Sequence, residues 1–230
     1  MASETNTSLV DMHMMFRDTL KFSQLYISRT GKYFKEITPS FIIDRIEEEV
    51  SEFYRPNNDI AEMVDACLDL TYYILQHISC CHPEVSLDVI NLVTDSKNGH
   101  VVTIKKDTIL PQIQQSLVDS KSDTKWTKVE FINMMDKQYD YMKKSYEKIK
   151  TGSVYEQITT LCDIAHRILL ELDNAGVHIM PIWDLIHNAN MTKFERGRVG
   201  SDGKWEKDLS TFVKPDDAIR SLIKAQGFTE

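Results

Sequence analysis

Between residues 41 and 75, apolar and polar positions follow the period of a helix twice over. Ile42, Ile43, Ile46, Val50 and Phe53 recur at helical spacing and form one apolar face. At about 100° per residue, Glu49 falls at the edge of that face with Glu52 beside it, and Glu47 and Glu48 point further toward water. Arg55-Pro56-Asn57-Asn58 breaks the pattern. The next helix is apolar around most of its circumference (Ile60, Met63, Val64, Cys67, Leu68, Leu70, Ile74, Leu75). One narrow stripe interrupts it: Glu62, Asp65 and Asp69. A helix this apolar is buried, so its acidic stripe requires a compensating charge.

The other elements follow from the same patterning. Residues 9–27 (Val10, Met14, Met15, Phe16, Leu20, Phe22, Leu25, Tyr26) predict a helix whose stripe is core, with a slot for a flat ligand at Phe16 or Phe22 as the sharper alternative. Residues 28–39 predict a loop, and residues 85–93 a short helix after His82-Pro83. Around Asn98-Gly99, residues 96–107 read as a brief β-hairpin or an extended loop. Residues 109–117 are weakly helical, and 120–125 form a polar linker.

After Trp126 the plan repeats at a shift of 94 residues. Glu62 meets Glu156, Asp69 meets Asp163, Ile74 meets Ile168, and residues 89–93 fall on 183–187 without a gap. This predicts an all-α helical bundle made of two tandem units, residues 1–118 and 126–230, in one compact domain. The second unit lacks the acidic set. Asp65 becomes Thr159, and the positions of Glu49 and Glu52 become Lys143 and Tyr146 or, in another helix register, Ser145 and Lys148.

Glu49/Glu52 and Glu62/Asp65 are paired carboxylates three residues apart, on one helix face each. An antiparallel hairpin can bring the pairs face to face. Two like charges 5 Å apart repel by roughly 3 kcal/mol at an effective dielectric near 20. Several such pairs force protonation unless a cation neutralises them. All four are hard oxygen ligands without Cys or His, which favours Mg²⁺, or Mn²⁺, over Zn²⁺. A solvated acidic face is the ordinary alternative, and the apolar surroundings of the second helix weigh against it.

Glu48-Glu49-Val50-Ser51-Glu52 followed by Glu62-Met63-Val64-Asp65 resembles the EExxE…ExxD signature of the all-α nucleoside triphosphate pyrophosphohydrolases. That superfamily includes MazG-like enzymes, dimeric dUTPases and phosphoribosyl-ATP pyrophosphatase; the spacer here is shorter than in MazG itself. In the second unit, His187-Asn188-Ala189-Asn190-Met191-Thr192-Lys193 resembles a motif of phosphoribosyl-ATP-pyrophosphatase-like proteins. Asp202-Gly203-Lys204 and Lys214-Pro215-Asp216 continue that likeness.

The resemblance implies two tandem MazG-like repeats, the second degenerate at the metal site. It implies Mg²⁺-dependent cleavage of a nucleoside triphosphate to the monophosphate and pyrophosphate, clearing dUTP-like, dCTP-like or non-standard nucleotides. Glu49, Glu52, Glu62 and Asp65 would hold the metal. Glu49 or Glu52 would activate the water, and Asp69 would stand behind. Asn190, Lys193, Arg196 and Lys204 would contact the phosphates. Superfamily members commonly build the site across a helical dimer, which a fused duplicate can make within one chain; a homodimer is compatible with either.

A formal charge of −8 leaves no large basic field and argues against a general nucleic-acid or membrane-surface binder. Cys67, Cys80, Cys81 and Cys162 suggest neither a disulfide framework nor a zinc site. The start of the chain lacks the plan of a signal peptide, and no apolar run spans a bilayer, so a reduced cytoplasmic location is expected. Two competing readings differ in class. A di-iron carboxylate bundle needs paired Glu-x-x-His elements, and the chain offers only Asp163-Ile164-Ala165-His166. A catalytically inactive helical scaffold, binding nucleotide or protein, predicts binding without pyrophosphate release.

Overall fold

A computed structural model of the chain describes residues 10, 12–30, 38–81, 93–95, 100–102, 125–199, 205–206, 208 and 214–229. The expected helix at 109–117 and Lys204 lie outside these residues, as do the expected helix at 85–93 apart from Val93, which is in a strand, and the expected linker at 120–125 apart from Lys125. Seven helices occupy most of what is described: α1 (Met12–Thr30), α2 (Pro39–Phe53), α3 (Ile60–Cys81), α4 (Lys128–Thr151), α5 (Val154–Asn174), α6 (Ile179–Arg196) and α7 (Asp216–Ala225). The class is all-α. Two short antiparallel ladders accompany the helices. β1 (Val93–Asp95) pairs with β2 (His100–Val102), the hairpin alternative for this stretch, and β3 (Arg198–Val199) pairs with β4 (Trp205–Glu206). No described helix is long and apolar enough to cross a membrane.

The helix ends have local causes. Pro39 opens α2 in the first turn, where a missing N–H costs nothing. The Asn58 side chain donates to the carbonyls of Glu52 (2.6 Å) and Phe53 (3.2 Å), satisfying the last turn of α2. One residue on, Asp59 and Glu62 close α3 with reciprocal bonds: Glu62 N–H to Asp59 Oδ1 and Asp59 N–H to Glu62 Oε2, both 2.9 Å. Thr127/Glu130 and Ser153/Glu156 form the same capping box on α4 and α5. Between these two helices stands Gly152, where a Cβ would run into the Lys148 carbonyl. Gly176 ends α5 at φ 80°, with Val177 N–H bonded back to Leu172 O.

The α2–α3 hairpin packs on the α4–α5 hairpin, α3 against α5 and α2 against α4; α1, α6 and α7 close over α3. One continuous apolar core runs from Val10 to Phe228, with Trp183, Phe53 and Phe131 completely enclosed. The predicted faces are the observed ones: Ile42, Ile43, Ile46, Val50 and Phe53 are buried, and α3 is buried on all sides except the stripe through Glu62, Asp65 and Asp69.

Phe16 and Phe22 are core, as expected, Phe22 lying 4.7 Å from Phe194 and 5.9 Å from Tyr72 between ring centroids. Two local expectations differ. The first helix continues to Thr30, three residues past the predicted end. Glu47, expected to face water, accepts hydrogen bonds from Tyr139 (2.6 Å) and Tyr146 (2.8 Å) of α4. This is one of the ties between the two hairpins. Tyr146→Phe is therefore expected to cost about 1 kcal/mol, read as a lowered urea midpoint at unchanged slope.

Candidate functional site

Of the carboxylates on the α2–α3 hairpin, Glu49 alone is buried outright. Glu49 is only 5% exposed, and its Oε2 has no hydrogen-bond partner. Burial, then the neighbouring charges of Asp69, Glu52, Glu48 and Asp65, raise its pKa to about 9. Asp65 is raised to about 8 by burial, then by Asp69, Asp216 and Glu52, with Lys214 opposing. These are the signs expected of carboxylates crowded in a poorly solvated place.

In front of them opens a cleft of about 320 Å³. Glu52, Asp65 and Asp69 form its acidic wall. Ile186, Ala189, Asn190 and Lys193 of α6 form the opposite one, and Arg55 and the segment Lys214-Pro215-Asp216 complete the rim. Glu52 is held by Arg55 at 2.5 Å across the breaker, and Lys193 donates to Asn190 Oδ1 one turn back on α6. Asn190 is itself buried, with 8% exposure. The acidic signature and the Asn190–Lys193 motif, more than a hundred residues apart in the chain, therefore share one cavity.

Of the expected metal ligands, Glu52 and Asp65 line the cleft. Glu49 stands with them as the buried member. Glu62 does not line it: its carboxylate closes the cap with Asp59 and takes Arg220 at 3.4 Å. Asp69, expected behind the site, lines the cleft instead. Arg196 ends α6 and its side chain is not described; Lys204 lies outside the described residues. Asp216, Lys214 and Arg55 had no assigned role in the sequence. The Pro215-Asp216 step was visible there, but only the docking of α7 brings it to the cleft. Arg220 does this docking, reaching Asp59 at 2.6 Å while Ile219 and Ile223 insert into the core.

Among the described residues, no group of three or more His, Cys, Asp or Glu side chains is arranged as a ready cage for a metal ion. The donor chemistry nevertheless suits a hard divalent cation. The set is all carboxylate, its buried members hold their protons unusually tightly, and one buried oxygen lacks any partner.

Asp163, expected to match Asp69, is almost fully buried; its Oδ2 takes Arg167 at 3.0 Å and the Tyr141 hydroxyl, and its Oδ1 has no hydrogen-bond partner. His166, one turn from Asp163, has its pKa lowered by burial. Lys143 is exposed and pairs with Asp140 at 2.9 Å. All four cysteines are free thiols, Cys67, Cys80 and Cys162 buried. Compared with known proteins, the chain matches no family model, no curated protein and no solved structure.

Proposed function

We propose that the chain is a Mg²⁺-dependent nucleoside triphosphate pyrophosphohydrolase of the MazG-like type, built from two tandem repeats of which the first holds the metal. The observation that carries this reading is the shared cleft. An acidic wall (Glu52, Asp65, Asp69, with Glu49 behind) faces an amide and an ammonium group (Asn190, Lys193) across a space of about 320 Å³. A polyanion can approach that acidic wall only through a cation, while the opposite wall offers direct donors to phosphate oxygens.

The duplication has independent support. α3 begins at Ile60 and α5 at Val154, 94 residues later, and each starts with a capping box, Asp59/Glu62 and Ser153/Glu156, in that same register. At the next matched position, Asp69 corresponds to Asp163, and Tyr73 to Arg167. The second repeat thus supplies an internal guanidinium for its buried carboxylate. The first has a tyrosine at that position.

Glu52, Asp65 and Asp69, with Glu49, would hold magnesium, whose positive charge would offset that of the triphosphate and of the departing pyrophosphate. Asn190 and Lys193 hold the non-reacting phosphates. Glu52, at the cleft wall, or Glu49 behind it, takes the proton of the attacking water as the water oxygen bonds to the α-phosphorus. The bond to the bridging oxygen breaks, and pyrophosphate leaves with its electron pair. Ile186, Ala189 and Pro215 present the apolar surface of the cleft. The cellular role would be removal of dUTP-like, dCTP-like or non-standard nucleotides.

The test is a panel of dNTPs, NTPs and phosphoribosyl-ATP with Mg²⁺, following pyrophosphate and monophosphate. Equimolar release of both is expected. Binding without release would replace this reading with an inactive nucleotide-binding scaffold, and release of inorganic phosphate would replace it with another hydrolase. Lys193→Ala is expected to raise KM for the triphosphate about tenfold, the loss of roughly one charge-assisted hydrogen bond, with unchanged helical circular dichroism.

A further inference from the structure

We propose that His187 is a positioning residue: seated on Tyr72 of α3 and beside Asp18 of α1, it keeps Asn190 and Lys193 turned toward the phosphate chain. This rests on the pyrophosphohydrolase reading of the cleft. The two walls of the cleft belong to different helices, Asp65 and Asp69 to α3 and Asn190 and Lys193 to α6. Its shape therefore depends on what joins α3 to α6. That joint lies one turn from both walls: Tyr72 follows Asp69 by three residues, and His187 precedes Asn190 by three. The Tyr72 hydroxyl and His187 Nδ1 are 3.2 Å apart. The two rings are stacked, 6.2 Å between centroids, and Tyr72 also lies 5.1 Å from Trp183, one turn earlier on α6.

Asp18 holds the same joint from α1. It is buried, and its Oδ2 accepts the Trp183 Nε1–H at 3.2 Å. Its Oδ1 takes Lys21 at 3.2 Å, and His187 Nε2 stands 3.8 Å from that oxygen. This last distance is beyond a hydrogen bond, yet a carboxylate on that side favours the tautomer protonated at Nε2. Nδ1 is then the acceptor for the Tyr72 O–H. Burial keeps the imidazole uncharged at neutral pH, opposed by Asp18 and Asp184 and assisted by Lys21, and burial likewise keeps the phenol protonated.

Helical geometry carries this grip to the cleft. At about 100° per residue, Trp183, His187 and Asn190 fall within about 60° of one another around α6, and Ile186 and Lys193 occupy the adjoining strip. Fixing the first strip on Tyr72 and Asp18 fixes the azimuth of the second, which lines the cleft.

The experiment uses the full chain and compares wild type with His187→Leu, His187→Asn, Tyr72→Phe, the Tyr72→Phe/His187→Leu double variant and Ser23→Ala. Binding of inorganic tripolyphosphate with Mg²⁺ is measured by calorimetry, beside Tm and the KM and kcat of pyrophosphate release. Tyr72→Phe removes one hydroxyl and leaves the ring stack, so it decides the matter even where His187→Leu fails to fold. Ser23→Ala is the control, because it removes a buried hydrogen bond from α1 to Ser79 of α3, at 3.0 Å.

Tyr72→Phe and His187→Leu are each expected to weaken tripolyphosphate and raise KM about fivefold with kcat nearly unchanged, since α6 holds the non-reacting phosphates. The double variant should be no worse than either, because both changes remove one bond. His187→Asn places a carboxamide oxygen near the position of Nδ1 and should restore most of the affinity. Ser23→Ala should lower Tm and leave affinity and KM alone. Wild-type affinity and KM in Tyr72→Phe, or multiplying losses in the double variant, overturn the proposal while the proposed function stands. If wild type binds no tripolyphosphate, both fall. If it binds tripolyphosphate but releases no pyrophosphate, the function falls while the affinities still decide the role of His187.

Discussion

Glu49→Gln is expected to give a chain that is more stable at pH 8 and inactive. In the folded protein Glu49 holds its proton up to about 9, chiefly because it is buried and secondarily because Asp69, Glu52, Glu48 and Asp65 surround it. Unfolded, the same carboxyl ionises near 4.5. At pH 8 the wild-type chain must therefore take up a proton to fold, or fold around an unpartnered charge. Each unit of pKa difference is about 1.4 kcal/mol. A neutral amide of the same shape avoids that cost, and its N–H groups can donate to the adjoining carboxylates. A gain of at least about 2 kcal/mol is expected, which is roughly 4–8 °C in Tm for a chain of this size. At pH 5 the gain shrinks to near nothing, because the wild-type side chain is then cheaply neutral too. Pyrophosphate release should fall by about 10³-fold, as for loss of a base or metal ligand. A variant that gains stability and keeps its turnover would sever Glu49 from the chemistry. One that loses stability would show the carboxylate to be satisfied in solution.

In chelator, the wild-type chain should lose stability between pH 7 and pH 8, and Mg²⁺ should abolish the slope. Both Glu49, at about 9, and Asp65, at about 8, have folded pKa values above their unfolded ones. The folded state therefore binds more protons than the unfolded state across this window, and unfolding becomes easier as pH rises. Between one and two extra protons over one pH unit correspond to about 2 kcal/mol. The histidines run the other way: burial lowers the pKa of His166 and His187, so their contribution is present above about 6.5 and lost as pH falls. Neither changes much between pH 7 and 8. Above pH 8 the buried thiols Cys67, Cys80 and Cys162 and the half-buried Cys81, all raised by burial, add to the loss. A cation binds the ionised carboxylates, so its stabilisation grows with pH. Differential scanning calorimetry at pH 7, 7.5 and 8, with EDTA or with Mg²⁺, measures both slopes. A flat profile in EDTA, or the same profile with Mg²⁺, would remove the electrostatic basis of the site.

The two effects share a physical origin. Four acidic residues (Glu49, Glu52, Asp65, Asp69) are gathered on one hairpin; Arg55 pairs with Glu52 and Lys214 acts on Asp65, while Arg45 pairs with Glu48 and Arg220 with Asp59 and Glu62. Asp163, buried in α5, has Arg167 one turn away at 3.0 Å.

The sequence alone determined the all-α class, the hairpin with its break at residues 55–58, the faces of α2 and α3, and the place of Glu49 at the edge of the apolar face. All of these are local. A 3.6-residue period assigns each side chain an azimuth, and a Pro-Asn-Asn run interrupts helical hydrogen bonding whatever lies nearby. Only the tertiary structure decided which neighbour covers each azimuth. Spacing points Glu47 toward water and permits Glu62 a ligand role. Tyr139 and Tyr146 claim the first; the α3 cap and Arg220 claim the second. Asp216 carries no local mark of a site residue and reaches the cleft because Ile219, Ile223 and Arg220 dock its helix more than a hundred residues away from the hairpin. Periodicity encodes a direction within one helix, whereas the partner at the end of that direction is set by how distant helices pack.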